Sequence, residues 1–197
     1  MPYLITTPRL GLRRWQPADL DPFAAMNADR AVREFFSNLM TREETAESIK
    51  RLEAHFDRHG YTFYALDVLE TGEFIGFTGL KCLEGPDTLD VWFAPCVEMG
   101  WRLRREAWGR GYAPEAAQAC LTYAWEELKL DKVYAYTAEH NAKSRRVMEK
   151  IGMTLSGHFD HPKIEAGHPL RRHVLYEIRP THPYPTMIGP PPFNYTH

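Results

Sequence analysis

Apolar residues recur along this chain with two different periods. Arg9 to Trp15 (RLGLRRW) opens with an apolar and polar alternation and stops before Pro17, which predicts a first strand. Asp19 then opens a short helix. A longer helix is marked by Thr41 and Glu44, the spacing of a capping box in which each side chain satisfies a free N–H at the helix start. Ala46, Ile49, Leu52 and Phe56 follow at helical spacing, and Gly60 predicts the stop. Tyr61 to Leu69 and Glu73 to Leu83 are β-rich runs separated by Glu70-Thr71-Gly72, which predicts a hairpin.

A fourth strand is expected within Leu89 to Leu103, interrupted at Pro95 because proline removes a ladder donor. Arg104 to Ala113 (RREAWGRGYA) is a basic, glycine-bearing loop, and Pro114 stands where a first-turn helix proline belongs. The helix after it, roughly Pro114 to Leu130, carries Ala117, Cys120, Leu121, Ala124, Trp125 and Leu128 on one face, which is predicted to pack on a sheet. Lys132 to Ala138 is a strand, and Ala142 to Ile151 a short helix ended by Gly152. Two last strands lie around Thr154 to Phe159 and Val174 to Arg179. The order β-α-α-β-β-β-α-β-α-β-β combines hairpin neighbours with helical crossovers, which predicts an α/β fold with a mixed sheet.

The 197 residues suffice to bury a full core, and 44% hydrophobic with 25% charged residues is the composition of one soluble domain. A formal net charge of -2 gives no bulk reason to capture nucleic acid or an anionic membrane, so any anion site must be local. No stretch approaches the ~20 apolar residues that cross a bilayer. The start, MPYLITTPRLGLRR, puts no basic segment before an apolar one, so a cytoplasmic protein is expected. Cys82, Cys96 and Cys120 lack any C-x-x-C spacing and read as reduced thiols, with a lone catalytic cysteine as the weaker alternative. Of 15 prolines, six fall between Pro180 and Pro192, which divides a catalytic domain over 1–179 from a proline-rich C-terminal tail over 180–197.

Between a strand and a helix, Trp108 to Ala113 leaves backbone N–H groups unobstructed where the helix dipole is positive, the arrangement an anion needs. Arg104, Arg105 and Arg110 add local charge for a polyphosphate. The loop is neither a Walker loop nor a full G-x-G-x-x-G dinucleotide motif. A plain strand-to-helix turn with solvated arginines fits the same residues.

Taken in order, these motifs resemble the GCN5-related N-acetyltransferases (GNAT), and specifically the group of RimJ/RimL-type ribosomal-protein N-acetyltransferases, over about Tyr3 to Arg179. The matching pieces are Thr7 to Arg13 (TPRLGLR), Phe74 to Leu80 (FIGFTGL), Glu98 to Leu103 (EMGWRL), the glycine loop, and Asn141 to Met153 (NAKSRRVMEKIGM). The resemblance implies a GNAT-type mixed, mostly antiparallel central sheet flanked by helices, with acetyl-CoA as donor and no metal. It implies that amides of Gly109, Arg110, Gly111, Tyr112 and Ala113 hold the pyrophosphate. Trp108 stands where the family has Gln or Arg, leaving side-chain phosphate contacts to Arg104, Arg105 and Arg110. The resemblance implies too that Trp101, Arg102 and Leu103 pair with the pantetheine arm like an added strand, that Asn141 contacts that arm, and that Ser144 binds the cofactor from the short helix.

Acetyl transfer to an amine requires a neutral amine, a polarised thioester carbonyl and a proton for the departing thiolate. Glu98 is the expected base, acting directly or through water, and strand N–H groups near Leu103 the expected polarising donors. A salt-bridged strand glutamate is the plain alternative for Glu98. Ser144 is the family-matched acid, with Tyr136 as a second candidate; Ser144 also reads as a helix-surface hydroxyl that only binds cofactor. His158, His161, His168, His173 and His182 crowd the C-terminal part without metal-ligand spacing and read as ordinary strand and loop histidines, with His161 or His168 as the alternative candidates near the acceptor. Phe35, Phe36 and Trp92 either line an acceptor pocket or pack in the core. The reading is a transferase acting on a primary amine, a small molecule or a protein N-terminus, by direct attack in a ternary complex. No nucleic-acid or membrane partner is expected, and a homodimer is left open. A non-catalytic acyl-CoA-binding module that engages a protein partner is the alternative.

Overall fold

The computed structural model describes residues 2–84 and 88–181. The capping box forms as its spacing predicts: Glu44 N donates to Thr41 Oγ1 at 3.1 Å and Thr41 N to Glu44 Oε2 at 2.8 Å, at the start of α2 (Arg42–His59). That helix ends on Gly60 in the left-handed region, φ 77°. Before it come β1 (Ile5–Thr6), β2 (Leu10–Arg13) and α1 (Leu20–Ala28). After it follow the hairpin β3 (Phe63–Val68) and β4 (Glu73–Leu83), then β5 (Cys96–Leu103), α3 (Tyr112–Glu126), β6 (Val133–Ala138), α4 (Ala142–Lys150), β7 (Thr154–Asp160) and β8 (Arg172–Ile178). One eight-stranded sheet runs β1-β2-β3-β4-β5-β6-β8-β7, and every neighbouring pair is antiparallel except β5 and β6.

Several elements differ from the sequence reading. β1 is two residues long, too short to show an alternation, and pairs Ile5 with Leu12 and Thr6 with Gly11. The first expected strand stops at Arg13, because Trp15 turns its indole inward and donates to Phe63 O at 2.8 Å. β5 begins only at Cys96: Leu89 to Pro95 turns on itself through Val91 N to Leu89 O and Ala94 N to Val91 O. Helix α3 starts at Tyr112, which makes Pro114 its third residue, where a missing N–H costs no helical bond. The tail expected from 180 on lies, beyond Thr181, outside the described residues.

Strand alternation divides the core. Tyr64 and Leu66 of β3 pack with Met99, Leu121 and Met148 in one cluster, while Ala65 between them packs with Trp15, Phe23, Leu52 and Phe77 in another. On the second face lies a buried charge cluster. Arg13 makes paired hydrogen bonds to Asp19 (2.7 and 2.8 Å) and to Asp67 (2.6 and 2.9 Å), and the three residues are only 7%, 3% and 3% exposed. Burial alone disfavours the charged guanidinium, but the two carboxylates outweigh it and raise its pKa above the ordinary arginine value. The cluster ties β2 to β3 and to the start of α1. Arg13→Ala, which strands two buried carboxylates, is expected to lower the unfolding free energy in urea by about 3–5 kcal/mol. Arg42→Ala, which removes an exposed pair with Asp21, should leave the midpoint nearly unmoved, and equal losses would contradict this account.

Candidate active site

The two parallel strands touch at a single register pair, Glu98 with Tyr134. β5 continues alone beyond it, still paired to β4 from Gly79↔Gly100 to Gly76↔Leu103. Arg104 N donates back to Ile75 O of β4 at 2.9 Å. Because successive strand amides alternate in direction, those of Trp101 and Leu103 face the gap on the β6 side. Trp108 Nε1 donates to the Leu103 carbonyl at 2.8 Å. A cavity of about 600 Å³ fills the opening, bounded by Phe36, Phe63 and Phe77 at one end and by Trp108, Gly109, Gly111 and Tyr112 at the other.

The glycine loop closes that second end. Gly109 and Gly111 have φ 74° and 78°, a region where a side chain costs roughly 1–2 kcal/mol. A Cβ on Gly109 would meet nothing within 4 Å, and one on Gly111 only Arg9 Nη2 at 3.4 Å. The glycines therefore serve curvature, and they leave the loop clear above the first amides of α3. The sequence reading missed the cation that holds this loop. Arg9 donates through Nε to Glu115 at 2.7 Å and through Nη1 to Arg110 O at 2.9 Å, and its guanidinium stacks 4.7 Å from the Tyr112 ring. Thr7 Oγ1 donates to the same Glu115 at 2.6 Å. Burial pushes the Glu115 carboxyl up, but these donors win and hold it below the usual range. Of the arginines expected at phosphate, Arg104 is ion-paired with Glu73 at 2.5 Å, Arg105 lies 3.9 Å from Asp29, and Arg110 is exposed on the loop.

The opposite wall carries the titratable groups. Glu98, Gly100 and Arg102 share one face of β5, where the Phe63 ring lies so close over Gly100 that a Cβ there would come within 2.8 Å of it. Tyr136 of β6 hydrogen-bonds the Glu98 carboxylate; burial, reinforced by that charge, raises its hydroxyl well above the ordinary tyrosine value. Ser144 lines the same cavity from α4. Asn141 caps that helix: Oδ1 accepts from Ser144 N at 3.2 Å, and Nδ2 donates to Thr137 Oγ1 at 2.9 Å. Lys143 lies 4.3 Å from the Trp108 ring centroid and 3.9 Å from Glu34, bridging the two ends of the cavity.

Other candidates fall elsewhere. Burial, with the charge of Glu98, pushes the Cys96 thiol up to about 12, and burial alone takes Cys120 to about 12 and leads the rise of Cys82 to about 11. All three are protonated thiols, poor nucleophiles. Trp92 is 66% exposed and neither lines the cavity nor enters the core. His168 is exposed, whereas His161 lies tilted against His173 with ring centroids 5.0 Å apart, and both rings lie near Tyr136.

A family profile described as Acetyltransferase (GNAT) domain matches residues 9–154. The Bacillus subtilis (strain 168) protein YkkB is 31% identical over 153 residues, which is 77% of this chain and 86% of YkkB. The crystal structure of an acetyltransferase from Agrobacterium tumefaciens str. C58 superposes with a TM-score of 0.72 at 30% identity, covering 91% of this chain and 95% of that one. RimL, a ribosomal L7/L12 alpha-N-protein acetyltransferase in complex with coenzyme A, superposes at 0.71 and 16% identity over 90% and 97%, a likeness of fold.

The histidine pair makes a prediction about acid. Burial, with the charge of His173, lowers His161 to about 4, and burial lowers His173. Both stay neutral in the fold, while the unfolded chain takes up their protons below about 6.5. Their contribution is therefore fully present above pH ~6.5 and is lost as pH falls toward ~4. Melting temperatures scanned across that window should fall less steeply for His161→Phe than for the parent; parallel curves would refute the assignment.

Proposed function

The chain belongs to the GNAT acetyltransferase family, and on that premise we propose that it is a RimJ/RimL-like N-acetyltransferase, moving the acetyl group of acetyl-CoA to a primary amine by direct attack in a ternary complex. The observation that carries this reading is that one cavity joins the glycine loop, the unpaired amide edge of β5 and the Glu98 carboxylate. The donor supplies an activated thioester carbonyl. Amides of Gly109 to Ala113 hold its pyrophosphate, with Arg110 and the Arg9-fixed loop carbonyl setting the local charge and shape. The gap-facing amides of Trp101 and Leu103 line its pantetheine arm and polarise the carbonyl oxygen.

Glu98 takes the proton of the acceptor ammonium, directly or through water. Tyr136 donates to that carboxylate and so fixes its orientation. We assign the Ser144 hydroxyl, which lines the same cavity, to protonate the departing sulfur while it takes up the proton that the attacking amine nitrogen loses as the amide forms, so that no alkoxide is left. Asn141 acts through the helix cap that positions Ser144, with pantetheine contact left to its remaining donor hydrogen. Three free cysteines suit a reducing cytoplasm. The acceptor is a small amine or a protein N-terminus.

Thiol release from acetyl-CoA across an amine panel tests the reading. Glu98→Gln should lower kcat by about 10²–10⁴-fold with unchanged calorimetric affinity for acetyl-CoA. Binding of acetyl-CoA without turnover on any amine would instead identify an acyl-CoA-binding module. Gly111→Val, forced into the left-handed region above the loop, should weaken acetyl-CoA binding at least about tenfold, and unchanged affinity would overturn the placement of the pyrophosphate.

A further inference from the structure

Arg102 stands about 13 Å along β5 from Glu98, at about 3.3 Å per residue, and on the same face, so its side chain enters the wall of the same cavity. Its guanidinium carbon lies 4.1 Å from the centroid of Phe36 and 5.2 Å from that of Phe77. Nη1 donates to Asn27 Oδ1 at 2.8 Å, and Asn27 is itself buried and bound to Thr45. Nε is shielded from solvent and has no hydrogen-bond partner. Among the described residues no carboxylate pairs with this cation.

Its charged neighbour has the same sign. Arg33 stacks on the same Phe36 ring at 4.6 Å, and its fork is spent on the Asn38 carbonyl and side chain. Burial, with the charge of Arg33, pushes Arg102 down to about 9. The protein's own carboxylates nearby are engaged elsewhere: Glu34 with Lys143, Glu44 in the α2 cap, and Glu98 with Tyr136. A half-buried cation with a shielded Nε, met by one neutral amide and two rings and standing beside a second cation, is poorly compensated unless an anion arrives from outside. The cavity is where it can arrive, and a guanidinium fork matches a carboxylate.

On the acetyltransferase reading above, we propose that Arg102 binds a carboxylate of the acceptor, so that the substrate is a primary amine carrying a carboxylate remote from it. In an α-amino acid the two groups share one carbon, too close to reach Glu98 and Arg102 together. The fitting sources are an ω-amino acid or a peptide N-terminus followed by an acidic side chain. A polyamine, cationic at both ends, meets repulsion at Arg102 and Arg33.

The test compares acceptors that differ only in this charge: γ-aminobutyrate and ε-aminocaproate against their carboxamides, and C-terminally amidated peptides with Asp or Asn at the second position. Turnover is read by thiol release, and acceptor binding by calorimetry on CoA-saturated protein. The parent should favour the carboxylate at least about tenfold in kcat/KM, and Arg102→Met should bring the ratio within about twofold, with Arg102→Lys between them. Preference among small acids or among acidic peptides tells which source is used. Turnover without a preference overturns the carboxylate site and leaves the acetyltransferase standing. No turnover, with carboxylate binding that needs Arg102, overturns the acetyltransferase and keeps the site; neither signal overturns both. Should Arg102→Met weaken CoA binding while the acid-to-amide ratio persists, the guanidinium serves the donor and the proposal fails.

Discussion

Strands β5 and β6 run side by side in the same direction, yet they bond at one residue pair and then part. A parallel pair needs a long crossover, and the chain between these two strands is the glycine loop plus α3. That helix presents Ala116, Ala117, Cys120, Leu121 and Ala124 to the sheet, a narrow apolar face that sits close against β4 and β5. The divergence does three things at once. It strips β5 of a partner on one edge, opens a cavity between the layers, and aims the helix start at the cavity's end. The proposed donor site rests on this one failure of pairing.

Charge in this protein is organised by position. The whole chain is close to neutral, and its cations take three distinct roles. Arg13 is fully compensated by two buried carboxylates and holds β2, β3 and the start of α1 together. Arg9 is compensated by Glu115 and spends its remaining donor on a carbonyl of the glycine loop, so it shapes the site without occupying it. Arg102 is the contrast, since among the described residues a neutral amide and two rings meet it and no carboxylate does. A guanidinium with its carboxylate present is architecture, and one lacking it points outward to a ligand.

The Glu98 wall is arranged with similar economy. Tyr136 donates to the carboxylate and is walled by Phe93, Phe159, His161 and His173. Neutral histidines suit such a wall, because they add ring surface without charge beside the carboxylate proposed as the base.

Local patterns made most of the fold legible in advance. The capping box at Thr41, the hairpin at Gly72 and the basic loop before α3 each depend on residues within a few positions of one another, and short-range spacing encodes them. Glu98 and Ser144 were readable only as members of an ordered set of motifs. What the sequence could not carry is whatever depends on partners distant along the chain. Arg9 meets Glu115 across more than a hundred residues, Tyr136 meets Glu98 through the bridge between parallel strands, and strand alternation puts Arg102 on the Glu98 face of β5, in the wall of the cavity. Periodicity and capping thus determined which elements form and in what order. Only the packed sheet decided where β5 loses its partner, and with it which charges are paired and which face the cavity, because burial and pairing belong to the assembled fold.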